Sequence, residues 1–192
     1  MRTDPVMGDH PPQMPPLREM VRDGLRLRPL VQFDEALYCA VYTDVDLMRQ
    51  VAEVLTKPAA QRAFALALKA NADPHSRARY WVIEALDADV GLLGVVATPA
   101  AETELQGEVG AMVLAAWQNR GLAAKAIALL ADHVFSASTV ARLHTRHAGN
   151  NGSASGLMHK LGFAALTADA DTALGFRWEL TRRQWQQRQG LD

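Results

Sequence analysis

The sequence predicts an α/β fold: a mixed, mostly antiparallel sheet of about six to seven strands flanked by helices. Three observations carry this. Short runs of alternating or β-branched apolar residues recur along the chain, while the segments between them space apolar residues by three and four. The order reads strand, helices, three strands, helix, strand, helix, two strands, which suits a sheet covered by helices. At 192 residues with the single cysteine Cys39, the chain is long enough to bury a core without cross-links.

The elements follow in order. Residues 1–23 stand apart, because Pro5, Pro11, Pro12, Pro15 and Pro16 crowd together and the apolar residues show no period. Proline removes backbone donors and favours extended chain, so this reads as an arm or surface strap preceding one domain over 24–192. In 24–31, Leu25 and Leu27 alternate with Arg26 and Arg28, giving a half-exposed strand. Helical spacing follows over 34–41 and 44–55, with Thr43 and Asp44 as N-cap candidates for the second. A third helix covers 58–71, with Pro58 in its first turn.

The texture changes at Arg79. The run 80–86 is aromatic and β-branched, Asp87-Ala88-Asp89 turns, and 90–98 forms the next strand before Pro99. A polar connection over 100–107 leads to an apolar strand at 108–114. The helix 121–136 carries Leu122, Ala126, Ile127, Leu130, Val134 and Phe135 on one face. A strand over 141–147, a turn and short helix over 149–161 stopped by Gly162, and strands at 163–166 and 173–181 complete the chain. Arg182 and Arg183 read as a solvated strand end, and the four tryptophans as packing residues.

Composition narrows the function classes. A formal net charge of -1 lacks the basic excess of a nucleic-acid binder. No apolar run approaches the roughly 20 residues that cross a bilayer, and the proline-rich start is unlike a signal peptide. The expectation is a cytoplasmic protein without membrane or nucleic-acid partners; a homodimer stays open. One cysteine makes no thiolate metal cluster, and His144 and His147, three apart on a strand, face opposite ways, so no metal is expected.

The informative stretch is 110–131, where a strand runs into a short loop, the loop holds Gly121, and a long helix begins. The first N–H groups of a helix lack intrahelical partners and sit at the positive end of its dipole, which suits phosphate. Gly121 admits close approach to the backbone, Ala123 keeps that approach open, and Arg120 or Lys125 adds charge.

The string Gln118-Asn119-Arg120-Gly121-Leu122-Ala123 resembles the pyrophosphate signature of the GNAT acetyltransferase superfamily, and it follows the right strand and opens the right helix. The segment Asn151 to Phe163, an asparagine and short helix ending in Lys-Leu-Gly-Phe, is similar to that superfamily's later motif. The opening Leu25-Arg26-Leu27-Arg28-Pro29-Leu30 and the strand start Glu108-Val109-Gly110 resemble the ribosomal-protein N-terminal acetyltransferase (RimJ/RimL-type) branch.

The resemblance implies a splayed pair of central parallel strands, acetyl-CoA as co-substrate, and acetyl transfer to a primary amine by direct attack. The acceptor is then a protein N-terminus or a small amine. It implies that Met112, Val113 and Leu114 bond the pantetheine through their backbone, that 118–123 hold the pyrophosphate, and that Asn151 reaches the cofactor, cap role or not. A backbone amide near Val113 or Leu114 is the expected oxyanion donor.

Glu108 and His144 are the candidate bases, each also readable as an ordinary strand charge or a packed histidine. The family's late tyrosine, the usual acid, is Met158 here, and a common serine is Ala154, flanked by Ser153 and Ser155. Ser155 or water is left to protonate the thiolate. The departure at Met158 keeps a second reading alive, a non-catalytic acyl-CoA sensor or interaction module.

Overall fold

The computed structural model describes residues 13–49, 51–100, 104–147, 151–166 and 176–190. Among these described residues eight strands form one sheet in the order β1-β2-β3-β4-β5-β6-β8-β7. These are β1 (Met20–Arg22), β2 (Leu25–Pro29), β3 (Ala78–Ala85), β4 (Ala88–Pro99), β5 (Leu105–Val113), β6 (Val140–His147), β7 (Ala164–Leu166) and β8 (Phe176–Thr181). Every neighbouring pair is antiparallel except β5 and β6.

Two cores lie on opposite faces. Strands alternate their side chains, so β5 sends Leu105, Val109 and Val113 to one face and Met112 to the other. The first face packs under α4 (Leu122–Ala137), whose Ala126, Ile127, Leu130, Ala131 and Val134 are buried. The second packs under α1 (Glu35–Tyr42) and α3 (Lys57–Ala72), through Tyr38, Val41, Phe64 and Ala67.

The sheet has one strand more than the sequence pattern indicates. Met20–Arg22 pairs with β2 across a turn at Asp23 and Gly24, both with positive φ (50° and 74°). Asp-Gly in that conformation is a hairpin signal, masked here by the prolines before it. Residues 13–19 continue over the domain: Gln13 N–H bonds Thr139 Oγ1, Trp81 Nε1–H bonds Arg18 O, and His133 Nε2 lies 2.7 Å from Pro16 O.

Three other expectations are corrected. The helix expected over 44–55 is the short α2 (Val45–Met48). Its chain leaves the helix because Leu55 N–H bonds Tyr42 O and draws the backbone onto α1. The polar connection ends early, and β5 begins at Leu105, a buried residue.

Arg182 and Arg183 do not end a strand in solvent; they open α6 (Arg182–Gln189), which a Thr181–Gln184 capping box starts. The Arg182 guanidinium reaches the carbonyls of Phe135, Ser138 and Val140. The last helix of the site, α5 (Gly152–Leu161), ends at Gly162 with φ 84°. No helix among the described residues is long and apolar enough to cross a membrane.

Candidate active site

The parallel pair opens partway along its length. β5 and β6 are paired from Leu105↔Val140 to Glu108↔His144 and no further. β5 then runs on through Val113, still paired to β4, and β6 runs on to His147, still paired to β8. Each strand keeps its outer neighbour and loses its inner one, so a gap widens between them. Gly91 secures the β4 side: a Cβ there would stand 2.2 Å from Met112 O, so only glycine allows this approach.

The gap turns specific backbone groups inward. Leu114 N–H bonds Val90 O, across from β5. Successive residues of a strand point their N–H and C=O groups to opposite sides. Met112 and the Leu114 N–H are therefore committed toward β4, the Leu114 carbonyl accepts the Trp117 N–H, and Val113 and Ala111 face the gap. The expectation of backbone contacts from all of Met112, Val113 and Leu114 narrows to Val113, with Ala111 added. An oxyanion donor at Leu114 is ruled out by its bond to Val90 O.

At the mouth of the gap sits a cleft of about 580 Å³. One wall is the β5 end with the loop and first turn of α4: Val113, Gln118, Asn119, Gly121, Leu122 and Ala123. Asn119 (φ 60°) and Gly121 (φ 74°) are both left-handed and swing the chain into the helix. No side chain caps α4. The missing Cβ of Gly121 has nothing within 4 Å, so open space lies where its side chain would be. Uncapped amides, a positive helix end and open room fit a phosphate.

Two loop residues are spent on building the loop. Gln118 Nε2–H bonds Val113 O at 2.9 Å, tying the loop to β5. Arg120 bonds Ala116 O and lays its guanidinium over Trp117, 4.8 Å from the ring centroid. It thus stands at the rim and is not one of the lining residues.

The second wall is α5, through Asn151, Ser153, Ala154 and Leu157. Asn151 both lines the cleft and caps α5, accepting the Ala154 N–H at 3.0 Å. The third wall comes from Asp44, Asp46, Leu47 and Val51, within the early helical region 34–71 where the resemblance sets the acceptor pocket. Its signal was an expected helix of ordinary amphipathic spacing, and only the fold sets it across from β5.

The candidate proton carriers lie elsewhere. Ser155 is turned from the cleft toward β6, 3.5 Å from both His147 Nε2 and Asn151 O. His147 Nε2 accepts the Trp178 indole N–H at 2.9 Å. Met158, where a tyrosine was expected by resemblance, packs into the core with Leu161 and Phe163.

Glu108 and His144 meet at the last paired rung, where the gap begins. His144 Nε2 lies 3.5 Å from Glu108 Oε2, and Arg146 grips both carboxylate oxygens at 2.9–3.3 Å. His144 and Arg146 together pull the Glu108 carboxyl down to about 2, against the opposing effect of burial. The Arg146 clamp was missed in the sequence, although strand alternation puts residues 144 and 146 on one face. No group of three or more His, Cys, Asp or Glu among the described residues is placed to hold a metal ion.

A mixed sheet split at its one parallel pair, with a glycine-started helix at the mouth, is the architecture that the sequence motifs imply. The family model of the acetyltransferase (GNAT) domain matches residues 24–164, and the chain belongs to that family. Its fold is similar to spermidine N-acetyltransferase from Vibrio cholerae, solved with CoA and spermine: TM-score 0.74, 16% identity, covering 85% of this chain and 99% of that one. It is also similar to the Salmonella typhimurium enzyme that modifies the N-terminal serine of ribosomal protein L7/L12, at TM-score 0.68 and 12% identity, covering 83% and 96%. A third similar structure is an aminoglycoside acetyltransferase with coenzyme A, at TM-score 0.72 and 14% identity, covering 86% and 99%. At these identities the likeness is one of fold. No curated protein matches the sequence.

Proposed function

We propose that this chain is an N-acetyltransferase that moves an acetyl group from acetyl-CoA to a primary amine by direct attack. The observation that carries this is the uncapped start of α4 opening onto the cleft beside the split of β5 from β6. Family membership and the CoA-bound neighbours of like fold support it.

In this reading the amides of 121–124 hold the pyrophosphate, and the Val113 N–H with the inward groups of Ala111 holds the pantetheine arm. Asn151 flanks that arm, and an inward backbone N–H of β5 deeper in the gap is the donor for a developing oxyanion. When bound, acetyl-CoA supplies an activated acyl carbon. The amine nitrogen forms a bond to that carbon as the carbon–sulfur bond breaks. The amine's proton leaves to solvent, and the thiolate needs no acid to depart, since thiols titrate near 8.5. The acceptor is a protein N-terminus, as in the RimJ/RimL-type branch, or a small amine. Cys39, buried and unpaired, suits a cytoplasmic site of action.

The test is release of free CoA thiol with a panel of acceptors: a peptide with a free α-amine, spermidine and an aminoglycoside. The expected result is acceptor-dependent release with at least one. The buried Met158 favours the sensor reading as the alternative, and acetyl-CoA binding without release from a broad panel would establish that instead.

A further inference from the structure

The stretch 13–23 precedes the family match, which starts at 24, and runs along α4 from one end to the other. Beyond the C-terminal end of the helix, Gln13 N–H donates to Thr139 Oγ1 and Thr139 N–H donates to Gln13 O. Midway, Arg22 pairs with Asp132. In the first turn, Lys125 Nζ–H bonds Asp23 O at 3.3 Å. Pro15 is buried, and Met14 and Leu17 pack against the core that α4 covers. The strap thus lies on the helix whose start forms the proposed pyrophosphate site.

The strap also closes over a histidine. His133 of α4 is buried, and its Nε2 lies 2.7 Å from Pro16 O. A carbonyl only accepts, so Nε2 carries the proton and Nδ1 of the neutral ring is bare. Nδ1 is itself buried and has no hydrogen-bond partner. Protonation adds a donor there with nothing to receive it, which a buried site penalises. The surroundings give the charge no counter-ion. The strap sets Arg18 against the ring, and β3 sets the Trp81 indole there, 6.5 Å between ring centroids. β2 packs under α4 through the apolar Leu25 and Leu27. Asp132, the neighbouring acid on α4, is taken by Arg22 of β1 and by the Trp185 indole N–H of α6. Burial, against the opposing bond to Pro16 O and with the Arg18 charge added, holds His133 below the ordinary 6.5.

We propose that His133 is the latch of a pH-sensitive strap: neutral, it holds Pro16 on α4, and on protonation it lets residues 13–19 lift from the helix. The bond from Trp81 Nε1–H to Arg18 O opens with them. This goes beyond acetyl transfer and does not depend on it. Docking favours the neutral ring, so it sheds a proton wherever the free ring holds one. The strap is therefore held at full strength above about pH 6.5, and its hold weakens as pH falls toward the lower value of the docked ring. Uptake of one proton limits the loss to about tenfold in the docking constant per pH unit.

The experiment follows the full chain by NMR from about pH 7.5 to about pH 5. It reads hydrogen-exchange protection factors of the Trp81 indole N–H and the Gln13 amide, with the His133 Cε1–H shift in the same samples. Protection is expected to hold level above about pH 6.5 and to fall below it by up to about tenfold per pH unit, while His133 titrates over the same range. His133→Gln keeps an N–H for Pro16 O but cannot titrate, and its protection is expected to stay level. Level protection in the wild type down to pH 5, or a fall that survives unchanged in His133→Gln, would overturn the inference. Should the variant fail to fold, the wild type still decides: a fall that tracks the His133 shift supports the latch, and one that does not track it overturns the latch.

Discussion

The two ends of α4 are finished in opposite ways. At its C-terminal end Arg182 from α6 reaches the Phe135 and Ser138 carbonyls, and Ser138 Oγ–H bonds Val134 O. At its N-terminal end a left-handed glycine stands alone and no side chain caps the helix. The other helices around the site do better at their starts: Asp44 caps α2, Thr56 caps α3 and Asn151 caps α5. A helix that closes one end with three hydrogen bonds and leaves the other without a side-chain cap suits a ligand at the open end, as the proposed pyrophosphate site requires.

The contrast is broken most severely at Gly121. Gly121→Glu places an L-residue at φ 74°, which costs about 1–2 kcal/mol, and sets a carboxylate where phosphate belongs. Calorimetry should show acetyl-CoA affinity falling by about hundredfold or more, about 2.7 kcal/mol. The opposite end responds differently. Arg182→Met strips donors from three carbonyls and should lower stability by about 2–3 kcal/mol, with Tm down by about 5–10 °C. Acetyl-CoA affinity should stay within about threefold once the variant is folded.

Asn151→Ala removes a cap that faces the same cleft. It should cost about 1 kcal/mol of stability in thermal unfolding and about threefold in acetyl-CoA affinity. A hundredfold loss would make α5, and not α4, the main anchor.

The smallest effect is at Glu108, outside the cleft. Its folded pKa lies below the ordinary 4.5, so its ion pair contributes fully above pH 4.5 and that contribution fades as pH falls toward about 2. Half-exposed and screened, it contributes no more than about 1 kcal/mol. Acid unfolding of Glu108→Gln should therefore lose less stability across that window than wild type.

What was legible in the sequence follows from where the information lies. The start of α4 was readable because a glycine, its neighbours and the helix that follows are contiguous. The split of β5 from β6 rested on resemblance, since pairing between strands separated by a whole helix leaves no local trace. Within β5, Val113 and Leu114 look alike in sequence; only the bond from Leu114 N–H to Val90 O decides which of them faces the gap. Ser155 was misplaced for a similar reason: its neighbours Ser153 and Ala154 line the cleft, and one further step along the helix turns its hydroxyl to His147. The wall from α2 and the Arg146 clamp are tertiary facts, built by residues whose local pattern is ordinary.

Backbone amide spectra recorded by NMR during an acetyl-CoA titration bear most directly on the uncapped helix start. The largest shifts should fall on Gly121, Leu122, Ala123 and Ala124, with Val113 following and the Leu114 amide, bonded to Val90, moving little. Saturable binding that leaves those four amides in place while moving others would contradict the account.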